Sequence, residues 1–193
     1  MKFIDTAHAI SKLGMVEDKG ADKMAQQADI ILSNWHHFYD GLRASPQEIY
    51  FLIEKAINER ELPGAVLSRV VYKEGGIFSA RREYLRVRRK DHIFDLCAAP
   101  FGRGLFASWW LGESVGLFWR ILFIIPPVAL TLIRIFRPDT FYRIDTALTF
   151  QDSVHSAVME VFDGVTKAKG LRALSESEKK PILSDLFYGE FGE

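Results

Sequence analysis

The chain has 193 residues, and its 25 Lys and Arg balance its 25 Asp and Glu, so the formal net charge at pH 7 is zero. A neutral chain gives no general electrostatic argument for nucleic acid, and 48% hydrophobic residues is not the composition of a multi-span membrane protein. The single cysteine, Cys97, excludes a disulfide within the chain and is expected to be a small buried residue of a strand.

The first 20 residues are short, polar and mixed, and we expect an N-terminal arm at 1–20. Asp5 and His8 interrupt the place where a signal peptide needs an apolar core of about 7–15 residues, so the bulk of the chain is expected in the cytoplasm. After the arm, apolar residues recur at alternating spacings of four and three, which predicts an amphipathic helix over 21–43. They are Met24, Ala28, Ile31, Trp35, Phe38 and Leu42.

A second helix is predicted over 46–61. Ser45-Pro46-Gln47-Glu48 combines a capping serine, a proline at the first helical position and the glutamate of a capping box. Leu62-Pro63-Gly64 should end this helix, and the two helices together predict an N-terminal helical hairpin. The expected buried face of the second helix is Ile49, Leu52, Ile53, Ala56 and Ile57.

The composition changes to β-branched and aromatic residues over 65–112, with turn signals at Glu74-Gly75-Gly76, at Lys90-Asp91 and between Pro100 and Gly104. This pattern predicts an antiparallel meander of about four strands. A helical hairpin packed on one face of the meander would give an α+β domain over 21–114.

A basic run, RREYLRVRRK, occupies residues 81–90 of the predicted meander. Because alternate residues of a strand share a face, four of its side chains should lie together and form an anion-binding face. They are Arg82, Tyr84, Arg86 and Arg88. Acidic lipid headgroups are favoured over nucleic acid as the ligand, because an apolar stretch follows closely. The alternative is a solvated face neutralised by Glu83, Asp91 and Asp95.

The longest charge-free apolar run, Ile121–Ile133, lies within the apolar stretch 115–136. Crossing a bilayer takes about 20 apolar residues in a helix, and 117–136 reaches that length only if flanking arginines extend to the two interfaces. The paired prolines should break such a helix near its middle. The expected membrane-anchor residues are Trp119, Arg120, Ile124, Pro126, Pro127, Leu132 and Arg134.

Three interpretations of this stretch stay open: a kinked single span, a re-entrant or in-plane hairpin, and a hairpin buried in a soluble core or between subunits. A single span would put 1–114 and 138–193 on opposite sides of the membrane. Lysines and arginines near the stretch favour a cytoplasmic C-terminal part, and the N-terminal part also lacks a signal for export. A single span cannot place both parts in the cytoplasm, whereas a hairpin can. We therefore predict an apolar membrane-anchor or buried hairpin segment at 115–137.

A second long helix is predicted over 144–169, and the region 138–193 is expected to be helical. Gly170 is well placed to end the long helix, after lysines that suit a helix C-terminus. The apolar side of this helix is expected to be Leu148, Val154, Val158, Val161, Phe162 and Val165.

Three features invite a chemical interpretation, and each has a simpler one. His36 and His37 are adjacent, so on a helix they would point about 100° apart, away from a shared metal ion. The loop Phe101-Gly102-Arg103-Gly104 lacks the phosphate-loop pattern. His155, with Asp152 three residues before it, has no second histidine or nucleophile at a suitable spacing. We therefore predict no enzyme, no metal site and no cofactor.

The sequence as a whole predicts a non-enzymatic protein on the cytoplasmic face of a membrane, with an α+β body that serves in recruitment or assembly. The expected partners are acidic lipid headgroups and either a protein partner or a second copy of the chain. The alternative is a soluble cytoplasmic scaffold or adaptor that is oligomeric and buries residues 115–136 between subunits.

Overall fold

The computed structural model describes residues 28, 30–73, 81–114 and 140–184. Its strands are β1 (Ile30–Tyr39), β2 (Ala65–Lys73), β3 (Arg81–Arg89), β4 (His92–Phe101), β5 (Gly104–Glu113) and β6 (Ile182–Leu183). Its helices are α1 (Pro46–Glu59), α2 (Phe141–Ala168) and the one-turn α3 (Glu176–Lys179). The strands form one antiparallel sheet in the order β2-β3-β4-β5-β1-β6, so the first strand lies beside the fifth.

The predicted α+β fold with an N-terminal helical hairpin is wrong, because the fold is mostly sheet and β1 stands where the first helix was expected. In β1 the buried side chains of Ser33, Trp35 and Tyr39 alternate with more exposed ones, which is the period of a strand. The apolar residues at spacings of four and three include Ile31 and Phe38, which lie on the face of the sheet opposite to that of Trp35 and Tyr39. Residues 1–27, which include the predicted arm, lie outside the described residues.

Two glycines of β5 let β1 lie close against it. A Cβ on Gly112 would lie 2.4 Å from the Ile30 carbonyl oxygen, and a Cβ on Gly104 would lie 2.4 Å from the Tyr39 carbonyl oxygen. The register shifts by one residue around Leu32, which is a bulge in β1. Beyond it, alternate residues of β1 face the core as far as Tyr39.

Helix α1 confirms the second predicted helix. The Ser45 hydroxyl accepts a hydrogen bond from the Glu48 amide at 3.3 Å, as expected of a helix cap. Tyr50 is fully buried, although the sequence did not predict it, and its hydroxyl accepts from the Ala98 amide at 2.9 Å and donates to the Glu83 carbonyl at 2.8 Å. This one side chain therefore ties α1 to both β3 and β4. The buried residues of α1 are Ile49, Tyr50, Ile53, Ala56 and Ile57, and Leu52 is half-buried.

The predicted four-stranded meander is present as β2 to β5. β2 and β3 pair through nine consecutive residues without a register shift. The tight turn between β3 and β4 contains Lys90, whose φ is 53°, and Asp91. The turn predicted at 74–76 lies outside the described residues.

Helix α2 overlaps the range predicted for the second long helix and begins three residues earlier, where the Thr140 hydroxyl accepts from the Arg143 amide at 3.3 Å. The Ser33 hydroxyl donates to Gln151 at 2.5 Å and so links α2 to β1. The chain after Gly170 is helical only in part, since it adds α3 and then the short strand β6 beside β1. Of the predicted apolar side, Val154, Val158 and Phe162 are buried and Leu148, Val161 and Val165 are half-buried.

Both long helices pack on one face of the sheet, where the core lies. Trp109 stacks on Phe94 with ring centroids 4.7 Å apart, and Tyr39 stacks on Phe162 of α2 at the same distance. We call the opposite face of the sheet the Arg86 face, after one of the side chains on it. A single row of neighbours crosses it: Ser68, Arg86, Asp95, Trp110, Asn34 and Ile182.

Candidate functional site

The described body is interrupted between Ser114 and Thr140, and the two ends of this gap lie together. Arg143, in the first turn of α2, places Nη2 2.5 Å from Glu113 Oε2 at the end of β5. Glu113 is 4% exposed, whereas the Arg143 side chain is 32% exposed. An ion pair with a buried carboxylate thus joins the point where the chain leaves the sheet to the point where it returns as α2. We call Glu113, Arg143 and the adjoining His92 the neck.

His92 completes the neck from the neighbouring strand. It is the direct cross-strand partner of Glu113, and its Nε2 lies 3.3 Å from Glu113 Oε1. Burial alone would raise the pKa of Glu113, but the close approach of His92 and the charge of Arg143 outweigh burial and hold that pKa below its usual value. Glu113 is therefore ionised at neutral pH, as the ion pair requires. His92 Nδ1 is buried without a hydrogen-bond partner among the described residues.

Basic side chains lie at the same end of the sheet as the neck. Arg89, His92 and Glu113 are cross-strand neighbours in one row, and the Ser114 amide donates to the Asp91 carbonyl at 2.8 Å. The β3–β4 turn is therefore held against Ser114, the last described residue before the gap. Its exposed cations come from Arg88 and Lys90, with Arg89 half-buried beside them. Alternation along the strand predicts Arg88 but not the other two, because Arg89 lies on the opposite face of β3 and Lys90 lies in the turn.

Two exposed aromatic residues begin α2 directly after the gap. Phe141 is 71% exposed and Tyr142 is 75% exposed. Aromatic side chains, Trp and Tyr above all, are enriched at membrane–water interfaces. Their position one turn from Thr140 places them beside the neck.

The four residues of the predicted anion-binding strand share the Arg86 face, as alternation requires, but they are not equivalent. Arg86 forms a two-pronged ion pair with Asp95, with Nε–Oδ1 and Nη2–Oδ2 both 2.7 Å. Tyr72 donates to Asp95 Oδ2 at 2.6 Å and also contacts the Arg86 guanidinium. Removal of either partner would leave a buried charge without compensation, and the guanidinium of Arg86 is directed at Asp95.

Arg82 and Arg88 are exposed at opposite ends of the same strand, about 20 Å apart at about 3.4 Å per residue. Arg82 and Tyr84 share this face with Cys97 of the neighbouring strand. Cys97 is fully buried, as predicted, and burial raises the pKa of its thiol, so it is a poor nucleophile. Anion binding by Arg82, Tyr84, Arg86 and Arg88 stays a prediction, with Arg82 and Arg88 the pair best exposed for it.

His155 is explained by the structure of the core. Its Nδ1 accepts from the indole nitrogen of Trp109 at 3.1 Å, and the ring lies near the backbone of Lys179. A nitrogen that accepts a hydrogen bond carries no proton, so the ring is neutral in this arrangement. It links α2, β5 and the α3 region. Burial is the main cause that lowers the pKa of His155.

The other sequence features remain without a chemical role. His36 is exposed and His37 half-buried on opposite faces of β1, so they do not converge. The Phe101–Gly104 loop is a hairpin turn that lines a shallow open depression of about 390 Å³ beside the start of α1. Among the described ranges, no group of three His, Cys, Asp or Glu is arranged to hold a metal ion.

The predicted anchor residues lie outside the described residues. They are Trp119, Arg120, Ile124, Pro126, Pro127, Leu132 and Arg134. Among the helices that the structure describes, none combines the length and apolar character needed to cross a bilayer. No protein-family model, curated protein or solved structure matches this chain.

Stability should depend on pH through His155. The pKa of this side chain is lowered in the folded state, so the unfolded chain binds the proton more tightly than the folded one. The contribution of neutral His155 to the free energy of unfolding is therefore fully present above the pKa of this side chain in the unfolded chain, which is near 6.5. It is lost as the pH falls below that value. We expect wild type to unfold at lower urea concentration at pH 5.5 than at pH 7.5, in a mild detergent.

The variant His155→Phe should lose about 1–3 kcal/mol at pH 7.5, because the buried Trp109 indole N–H loses its acceptor. Its stability should fall less than that of wild type between pH 7.5 and 5.5. The pKa of His37 is also lowered mainly by burial, so His37 contributes equally to the pH dependence of stability in wild type and in His155→Phe. His36→Asn at the exposed neighbour is the control and should keep the wild-type slope. An unchanged slope in His155→Phe would contradict this role.

Proposed function

We propose that the protein is a non-enzymatic, membrane-associated module whose body is held on the cytoplasmic face of an acidic membrane by residues 115–136. The neck carries this proposal. A Glu113–Arg143 ion pair of 2.5 Å brings together the two ends of the chain segment that contains the longest apolar run. An apolar segment that leaves and returns at one point suits an anchor that enters and exits on one side.

The connectivity of the body argues for the same topology. Residues 30–114 and 140–184 share one sheet and one core, since β6 pairs with β1 and α2 packs on the sheet. A single crossing would have to separate β6 from β1 across the bilayer. Of the interpretations that the sequence left open, we therefore propose the re-entrant or in-plane hairpin in place of the kinked span.

The length of the segment fits a shallow insertion. Divided at Pro126-Pro127, the stretch 115–136 gives two legs of about 11 residues, or about 16 Å each as helix at about 1.5 Å per residue. That is about half of the ~30 Å hydrocarbon core, so the prolines would reach the middle of the bilayer at most. Backbone groups that the prolines leave without a helical hydrogen bond need other partners. Water could supply them if the segment lay obliquely or at the membrane interface.

The side chains around the neck suit the surface of an acidic membrane. Arg88 and Lys90 are exposed beside the exit point, and each cation near such a surface contributes about 1 kcal/mol. Phe141 and Tyr142 add exposed aromatic rings beside the return point.

Charged residues in the apolar stretch should release the protein from membranes. Wild type should stay in the pellet through an alkaline carbonate wash and dissolve only in detergent. The triple variant Ile124→Glu/Val128→Glu/Leu132→Glu should move to the supernatant, because charge at bilayer depth costs several kcal/mol per residue. Fractionation of expressing cells followed by immunoblotting measures this.

The matched control places three glutamates on exposed apolar residues of the body that lie off the Arg86 face, Phe51, Val71 and Ala173, of which Phe51 and Val71 are 65% and 45% exposed. This control should remain in the washed pellet. A triple variant in the apolar stretch that stays membrane-bound would reject the anchor. A wild-type protein that is soluble and oligomeric without detergent would instead favour the scaffold with residues 115–136 between subunits.

Charge reversal at the turn beside the neck should weaken attraction to acidic lipid. Arg88→Glu/Lys90→Glu changes the local charge by four units and should reduce association of the detergent-diluted protein with vesicles containing phosphatidylserine by at least about tenfold. The control Lys55→Glu/Lys167→Glu makes the same change on exposed positions of α1 and α2 and should bind like wild type. Equal loss in both variants would show that only overall charge matters.

A further inference from the structure

The Arg86 face of the sheet differs from an ordinary solvent-facing surface. Both long helices pack on the opposite face, and the described residues supply no helix to this one. Five large apolar side chains on it are at least 43% exposed. They are Phe38, Val66, Phe101, Trp110 and Ile182, and they come from β1, β2, β4, β5 and β6. The apolar exposure is thus spread over the width of the sheet.

The exposed charges of this face have one sign. Arg82 and Arg88 are exposed on β3. Among the described strand residues of the face, the one carboxylate is Asp95, and it is buried and bonded by Arg86 and Tyr72. The face therefore presents cations and apolar side chains while its negative charge is neutralised internally. Acidic surfaces attract such a face electrostatically.

The relief of the face is shallow. Cys97 and Ser108, which are small and buried, form its floor between larger neighbours on the flanking strands. The rings of Phe38 and Phe101 meet edge to face at 6.4 Å and stand at the end of the sheet away from the neck. A broad, shallow, aromatic and basic surface suits contact with a membrane interface, where aromatic rings settle among headgroups.

We propose that the Arg86 face lies against the acidic lipid surface, so that the body rests flat on the membrane instead of standing on its neck. This inference rests on the proposed function, because the neck must first bring the body to a bilayer. Lipid is favoured over single-stranded nucleic acid for two reasons. The face is continuous with the last residues of β5, where the apolar segment begins, and its two exposed arginines lie about 20 Å apart without forming a basic groove.

Two matched positions distinguish a flat body from an upright one. Phe101 is 74% exposed on the Arg86 face, at the end of the sheet opposite the neck. Phe51 is 65% exposed on α1, in the helical layer. In a flat body a probe at 101 touches lipid and a probe at 51 does not. In an upright body neither position reaches the membrane.

The experiment uses the full chain in a Cys97→Ala background, with Phe101→Cys or Phe51→Cys labelled by an environment-sensitive dye and reconstituted into vesicles containing phosphatidylserine. We expect the dye at 101 to shift to the blue and to lose most of its emission when brominated lipid replaces ordinary lipid. The dye at 51 should show neither change. Phe38→Cys, at the same end of the face, is a second labelling position if Phe101→Cys fails to fold.

The remaining outcomes overturn the inference, and they separate it from the proposed function. If the protein floats with vesicles but neither probe senses lipid, the body stands upright and only the inference fails. If the probe at 51 alone senses lipid, the helical layer faces the membrane and the inference fails. If a single-stranded oligonucleotide, and not vesicles, shifts the dye at 101, the face binds nucleic acid. If the protein does not float at all, the proposed function fails as well.

Discussion

The ion pair between Glu113 and Arg143 is the contact on which the arrangement of this chain depends. It joins the last residue of β5 to the first turn of α2, although 115–139 intervene in sequence. Because the Glu113 carboxylate is buried, loss of Arg143 would leave its charge without its strongest partner, so the pair favours keeping the two ends together. The body is then one folded unit, with β6 paired to β1, although the apolar stretch lies between its two halves in sequence.

Local signals predicted those parts of the fold that depend on neighbouring residues. The cap at Ser45 predicted α1, and the turn at Lys90-Asp91 separated β3 from β4. The first strand was missed because its apolar residues match two periods, and only its pairing with β5 decides between them. That pairing depends on the close approach at Gly104 and Gly112, which no pattern within 21–43 reveals.

The candidate site was predictable to a similar extent. Strand alternation correctly grouped Arg82, Tyr84, Arg86 and Arg88 on one face, but alternation along one strand does not show that Asp95 on the next strand engages Arg86. The neck was missed because its residues lie far apart in sequence. A comparison of the charges that flank the apolar stretch would have paired an acidic residue before it with a basic residue after it.

The most direct test of the neck is the sidedness of the two halves of the body. Arg103→Cys lies before the apolar stretch and Lys167→Cys after it, both at exposed positions. In inside-out vesicles from expressing cells, we expect a membrane-impermeant maleimide to label both cysteines, and in intact cells to label neither. Labelling of one position from each side would mean that the chain crosses the membrane once, which would contradict a body closed at Glu113 and Arg143.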